Sequence, residues 1–203
     1  IGLTIRIVQT DGTQPVGRGI GPALEARDVL AVLRREPDAP VDLAERAVAL
    51  AGAVLELAGR TPPGVGVALA SSLLTTGAAW RKFVASCDAQ GGFREPSRAA
   101  LRHDVVSPLD GIVAAVDNRR LARVAKLAGA PLSPAAGLQL LAPIGAPVAA
   151  GAPLYTIHAE SPGELAYALD YAHATPGIVR VAPESASAGV TPCIGDDHVR
   201  TTL

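Results

Sequence analysis

From the N-terminal end, Leu3, Ile5 and Ile7 alternate with Thr4, Arg6 and Val8, the two-residue period of a strand with a buried face. Residues 10–13 (TDGT) read as a turn. A helical period then takes over. Leu24, Val29, Leu30 and Leu33 form an apolar stripe on a helix from about Gly21 to Arg35. Pro22 is acceptable in its first turn, and Glu25 sits near its positive end. Pro37 and Pro40 close that helix, and Asp42 opens a second that runs to about Leu57. Beyond a Pro/Gly connector at Gly59 to Gly66, the pattern predicts one helix from about Val67 to Ala89. It carries Trp80 and Phe83 on adjacent turns and is stopped by Gly91 and Gly92.

Between Phe93 and Leu109 prolines and polar residues return and the helical period gives way to short strands, which places a domain boundary near Pro96. The second part is expected to hold strands at Gly111–Val116, about Leu138–Ala142, Pro153–His158 and Ile178–Val181. Helices are expected at Asn118–Ala128 and Pro162–His173. A Ser-, Ala- and Gly-rich tail follows and is expected to be loose. The expected domains are therefore 1–95 and 96–183, with a tail at 184–203. SPLDGIVAAV and IGAPVAAGAPLYTI are two similar half-motifs, each a turn followed by an alternating strand. They resemble the halves of the barrel-sandwich found in biotinyl and lipoyl carrier domains. Carriers attach their cofactor through a lysine at an exposed hairpin tip. The lysine between these half-motifs is Lys126, inside a predicted helix, so the likeness is one of architecture.

Composition narrows the classes. Of 203 residues, 49% are hydrophobic and 18% charged, which is a packed globular protein; aromatics are only 3%, and there is no Met. With so much Ala and Gly, helices are expected to pack closely through small side chains. A formal net charge of -1 gives no global attraction to nucleic acid or to a membrane surface. Arg119, Arg120, Arg123 and Lys126 have helical spacing and read as a solvated face. The stretch Val41 to Leu57 carries Asp42, Glu45, Arg46 and Glu56, so it reads as an amphipathic helix and not a membrane span. Cys87 and Cys193 make neither a disulfide framework nor a zinc site, and the default compartment is cytoplasmic.

Candidate chemistry centres on the loop Gly17, Gly19 and Gly21, which lies between the predicted first strand and helix. Dinucleotide loops have that placement, but here the spacing is G-x-G-x-G followed by Pro22, with no acidic residue ending a second strand about twenty residues on. Asp11 and Gln14 border the loop; Asp11 fits turn formation, and Arg18 projects from between two glycines. His103, His158, His173 and His198 are scattered, and no Ser or Cys lies in a nucleophile motif. His158 ends a predicted strand and is expected to hydrogen-bond that strand to the next helix. Asp110, before Gly111, fits a tight turn.

QPVGRGIGPALEARDVL (Gln14 to Leu30), SPLDGIVAAVDNRRLARVAKLAGA (Ser107 to Ala130) and IHAESPGELAYAL (Ile157 to Leu169) resemble the C-terminal part of the thymidine phosphorylase, pyrimidine-nucleoside phosphorylase and AMP phosphorylase family. The resemblance runs from about Ile5 to Ala182, and GRGIGPALEARD brings it nearest to the AMP phosphorylase-like branch. It implies a fold class of α/β (α+β): an end strand and bracing helices of an α/β domain, followed by a small barrel-sandwich-like α+β C-terminal domain. The implied reaction is displacement of a nucleobase at the anomeric carbon by inorganic phosphate. The substrate is a nucleoside such as thymidine or uridine, or a nucleoside monophosphate. The family's phosphate-binding and base-binding motifs belong to its upstream half, so no catalytic or substrate-binding residue is expected here.

The resemblance also implies a structural monovalent cation, potassium, whose ligand positions fall on the carbonyls of Val16 and Gly19 and on the carboxylate of Asp28, where the family more often has Glu. No other cofactor is expected. Family members are homo-oligomers, so a homo-oligomer is expected, with no nucleic acid or membrane partner. A first residue of Ile in a strand already in progress reads as a fragment of a longer protein, itself inactive. The alternative of another class is a non-catalytic structural or oligomerisation module. A large exposed apolar face on the N-terminal helices would favour the fragment reading.

Overall fold

The structure is a computed structural model in which residues 4–183 are described; the expected tail at 184–203, with Cys193 and His198, lies outside the described residues. By packing, the chain divides into two compact units, the first helical among the described residues and the second α+β. Among the described residues, the first holds those up to Asp11 and Asp28–Glu95; the second holds Gly12–Arg27 and those from Pro96 on. Helix α1 (Pro22–Arg34) starts in the second and ends in the first.

In the first unit α1 is followed by α2 (Val41–Leu57), α3 (Gly66–Thr75) and α4 (Ala78–Asp88). The expected close packing is seen where α2 crosses α3. A Cβ on Gly66 would lie 2.2 Å from the Gly52 carbonyl oxygen, and one on Gly52 would lie 2.6 Å from the Val67 nitrogen. Backbone therefore meets backbone. Glu56, at the end of α2, accepts hydrogen bonds from the Gly64 and Gly66 amides, each at 2.9 Å, and pairs with Arg6 Nη1 at 2.6 Å. The Arg6 bond, then the Gly66 amide, hold the Glu56 carboxyl below its ordinary range. Trp80, Phe83 and Phe93 form a ring cluster with centroids 5.8 to 6.2 Å apart. The Arg34 guanidinium lies 4.9 Å from the Trp80 centroid and 5.5 Å from that of Phe93, and it pairs with Glu95.

Two expectations fail in this unit. Residues 4–10 form no strand, and Ile5 and Ile7 are 71% and 73% exposed. Alternation alone does not make a strand, because the backbone groups need a ladder partner and among the described residues this segment has none. The single helix expected from Val67 to Ala89 is two helices. At the break, Thr76 Oγ1 donates to the Ser72 carbonyl at 2.7 Å and Thr75 Oγ1 to that of Ser71 at 3.0 Å. Gly77 then takes the left-handed conformation, φ 71, that closes α3.

The second unit is built on two antiparallel sheets. One has the order β1-β4-β6-β2, from β1 (Gly19–Ile20), β4 (Gly137–Leu140), β6 (Pro153–Ala159) and β2 (Leu101–Val106). The other is β5-β3-β7, from β5 (Pro147–Val148), β3 (Gly111–Val116) and β7 (Val179–Ala182). The two half-motifs are tied together at their turns: Ser107 and Gly151 exchange backbone bonds with Ala152 and Ser107, and the Ala150 amide donates to Asp110 Oδ1 at 2.8 Å. Asp110 is thus a turn-fixing residue.

Helix α5 (Asn118–Leu127) is capped by Asp117, whose carboxylate accepts from the Arg120 amide at 3.0 Å. Helix α6 (Pro162–Ala174) is capped by Ser161 with Glu164. The inner face of α5 buries Leu121, Val124 and Ala125 against Leu138, Ile157 and Val113, while Arg119, Arg120, Arg123 and Lys126 are exposed. The strands β1, β2 and β5 were not placed by hydrophobic pattern. β1 and β5 have two residues each, too short to carry a period.

Candidate functional site

The glycine loop is fastened at several points within the second unit. Asn118 Nδ2 donates to the Gly12 carbonyl at 2.9 Å, and the Ile144 amide donates to Gln14 Oε1 at 2.8 Å. The Leu140 amide donates to the Arg18 carbonyl at 2.7 Å, and β1 then pairs Gly19 with Gln139 and Ile20 with Leu138. Antiparallel alternation turns the backbone groups of Gly19 away from β4. At the start of α1, the Gly21 amide donates to Glu25 Oε1 at 2.9 Å and the Ala23 amide to the Pro134 carbonyl at 3.0 Å.

The glycines serve close approach. A Cβ on Gly19 would sit 2.5 Å from the carbonyl carbon of Leu24, and one on Gly21 would sit 2.5 Å from the Ala136 oxygen. Gln14, at the border of the loop, is therefore a latch onto residue 144.

Of the expected cation ligands, Val16 is half-buried and Gly19 buried in the second unit's loop. Asp28 is half-buried on α1, in the stretch counted with the first unit. Among the described residues no group of three or more His, Cys, Asp or Glu could hold a metal ion. The expected ligand set is instead mostly carbonyl oxygen, the donor chemistry of a weakly demanding hard cation.

His158 does not behave as expected. It is 6% exposed, and its Nε2 is buried without a hydrogen-bond partner, so that nitrogen makes no hydrogen bond to α6. Strand register explains what surrounds it. His158 stands opposite Arg102 of β2 on one side and Gly137 of β4 on the other, and Thr156 stands opposite Asp104 and Gln139. Side chains at directly opposed positions share a face. One face of the four-stranded sheet is thus polar, carrying Arg102, Asp104, Gln139, Thr156 and His158, while Leu138, Leu140, Tyr155 and Ile157 line the core side.

Thr156 Oγ1 donates to Asp104 Oδ1 at 2.6 Å. The first turn of α1 covers part of this face, since a Cβ on Gly137 would lie 2.9 Å from Leu24 Cδ1. Arg27, one turn on, donates to the Ser97 carbonyl. Burial, then the Arg102, Arg27 and Arg98 guanidinium groups, push the His158 imidazole down to about 4, against an opposing pull from Asp104. His158 is therefore neutral at physiological pH. On the core side, burial pushes the Tyr155 phenol up to about 12.

Sequence reasoning missed Arg27, Arg98 and Arg102 as a group. For Arg102 the signal was available in LRHDVV, where Leu101, His103 and Val105 alternate with Arg102 and Asp104.

The first unit has a different kind of opening. An apolar groove of about 460 Å³ lies among α1, α2, α3 and the start of α4, lined by residues such as Val32, Leu33, Val48, Val54, Leu73 and Leu74. Val54 and Leu73 are 62% and 40% exposed. No helix among the described residues is long and apolar enough to cross a membrane.

Residues 112–178 match the profile of the pyrimidine nucleoside phosphorylase C-terminal domain. "Putative thymidine phosphorylase 1" of Cupriavidus necator is 60% identical over 171 residues, which is 84% of this chain and 33% of that protein. "Putative thymidine phosphorylase" of Ralstonia nicotianae is 55% identical over 182 residues, 90% of this chain and 36% of that protein. The Legionella pneumophila protein of the same name is 56% identical over 170 residues, 84% of this chain and 33% of its own length. The chain spans about a third of the length of these relatives. It belongs to the pyrimidine nucleoside phosphorylase family and carries that family's C-terminal domain.

Proposed function

We propose that this chain serves as the C-terminal portion of a nucleoside phosphorylase. In that reaction inorganic phosphate attacks the anomeric carbon of a ribosyl or deoxyribosyl group, the N-glycosidic bond breaks, and free base leaves with the bonding pair. The products are base and pentose 1-phosphate. Positive charge grows on the sugar while negative charge grows on the base, so catalysis rests on positioned phosphate and on donors aimed at the base. No residue of this chain is assigned to either task. Its contribution is a C-terminal domain that fastens the Gly12 to Gly21 loop, and helices that present an apolar groove.

The observation that carries this reading is identity of 55 to 60% with the thymidine phosphorylase-named relatives over 84 to 90% of the chain. The open groove supports it from the physical side, because a contiguous apolar surface of this kind is ordinarily covered. It also weighs against an independently acting structural module. Thymidine is the substrate the relatives' names favour. The loop GRGIGPALEARD favours AMP or another nucleoside monophosphate as the second reading.

A potassium ion held by the Val16 and Gly19 carbonyls and the Asp28 carboxylate belongs to the same proposal, as do homo-oligomeric assembly and a cytoplasmic setting. The test is phosphate-dependent release of free base from thymidine, uridine, AMP and CMP, by the 203-residue chain and by a parent of the relatives' length. Turnover by the parent alone is the expected result, and its preferred substrate decides between the readings. Turnover by the short chain would overturn the assignment of the catalytic groups to the remainder of the protein.

A further inference from the structure

We propose that β2 is a docking edge for a second copy of this chain. Two copies pair β2 against β2 antiparallel, about a two-fold axis normal to the sheet, and join their four-stranded sheets into one. The inference names a contact for the homo-oligomer proposed above and rests on that reading, though not on the proposed reaction.

β2 is the longest edge strand among the described residues. The other sheet ends are β1 and β5, with two residues each, and β7, with four. Leu101 to Val105 keep an unbroken register with β6, and the irregularity falls after Val105. On its outer side β2 has no ladder partner among the described residues, and Arg102, His103 and Asp104 are exposed. A row of unpaired N–H and C=O groups is a template for another strand, and proline and lysine, two common means of blocking one, do not occur between Leu101 and Val106.

Charge complementarity selects the occupant. Residues directly opposed in an antiparallel pair share a face, so a two-fold pairing of β2 with itself must be centred on one residue. Centred on Arg102 it would set arginine against arginine, and centred on Asp104 aspartate against aspartate. Centred on His103, it sets Arg102 of each copy opposite Asp104 of the other, and Leu101 opposite Val105, each contact made twice. The charged pairs lie on the polar face and the apolar pairs on the core side.

Both charged groups are free to meet a partner. Arg102 makes no side-chain hydrogen bond or ion pair among the described residues. Asp104 gives Oδ1 to the Thr156 hydroxyl, which leaves Oδ2 for a guanidinium. Exposed charges on an edge ordinarily turn other strands away. Here they turn away most sequences and suit this one, in an isologous contact that closes on itself.

The test is sedimentation equilibrium of the 203-residue chain and, in parallel, of a protein of the relatives' length. Arg102→Asp should weaken self-association about thirtyfold, because two attractive pairs become repulsive. His103→Glu and His103→Lys each set like charges on the axis and should weaken it about fivefold. Mixing those two variants sets opposite charges there and should restore association as a heterodimer. Arg102 and His103 are exposed and make no side-chain bond among the described residues, so these variants keep the fold, which thermal unfolding checks.

Loss in Arg102→Asp together with recovery on mixing supports the docking edge. Unchanged association in Arg102→Asp, or no recovery on mixing, would overturn it and leave the homo-oligomer to another surface. A wild type that is monomeric at both lengths would overturn the contact and the homo-oligomer alike. Base release is a separate measurement, so none of these results touches the proposed reaction.

Discussion

The two units solve burial in different ways. In the second, β3, β4, β6, α5 and α6 close around Leu121, Leu138 and Ile157, each at 0% exposure or nearly so, and its polar groups collect on the opposite face of one sheet. In the first, the helices touch through glycines, and an apolar groove stays open beside them. The second unit thus completes its own core, whereas the first carries more apolar surface than its helices cover. A match to the family's C-terminal domain over 112–178 falls in the self-sufficient unit. The contrast sets a closed core in one part of the chain against an open apolar groove in the other.

The largest expected effect breaks the second unit at its tightest point. In Gly137→Val a Cβ would stand 2.1 Å from the Ile20 carbonyl oxygen, at a residue with φ 149. Since that oxygen is backbone in the β1–β4 ladder, the strand pair must separate. A loss above about 3 kcal/mol is expected, beyond ordinary overpacking. Hydrogen exchange should rise across β1, β4 and α5 while α2 and α3 stay protected. Equal loss of protection in α2 would mean that the two units do not unfold separately.

The corresponding change in the first unit is Gly66→Ala, whose methyl would lie 2.2 Å from the Gly52 oxygen. Two helices can slide apart more readily than paired strands, so a smaller loss, about 1–3 kcal/mol, is expected in thermal unfolding. A cost matching that of Gly137→Val would remove the distinction drawn between the units.

How much of this was legible in the sequence follows the same division. Helices α1, α2, α5 and α6 announced themselves by a 3.6-residue period and by caps such as Ser161 with Glu164. Long periodic segments carry their own evidence. The break at Thr76 and Gly77 was hidden because the apolar pattern continues through it, and it is decided by two hydroxyl bonds to Ser71 and Ser72. The segment at 4–10 misled for the opposite reason: its alternation is present, yet a strand depends on a neighbour that no local pattern reveals. Gln14 and Asn118 act through partners at residues 144 and 12. Such long-range bonds leave no mark on spacing, and the pairing of Arg102 with His158 appears only once register is known.

Acid sharpens the comparison further, because His158 belongs to the second unit. Its folded pKa, about 4, lies below the ordinary histidine value of 6.5, so between those limits the unfolded chain binds more protons. Stability is therefore full above about pH 6.5 and falls as pH drops towards 4. The midpoint for β6 and β2, followed by hydrogen exchange or tryptophan-independent probes, should fall by several degrees over that window. In His158→Gln the slope should flatten. A wild-type midpoint that is level from pH 6.5 to 4 would show that His158 is not held neutral.

The smallest effect is also the most discriminating. Val54 and Leu73 face the open groove at 62% and 40% exposure, so Val54→Lys and Leu73→Lys should cost this chain about 0.5 kcal/mol or less. Each lysine can keep its ammonium in water while its stem lies along the groove. In a protein of the relatives' length, where the proposed reading has the groove covered, the same charges would be desolvated without a partner and should cost several kcal/mol. Parallel thermal unfolding of the short and long proteins measures the difference directly. Similar small costs in both would mean that the groove stays open in the long protein, and the first unit would then have to be regarded as complete in spite of its apolar surface.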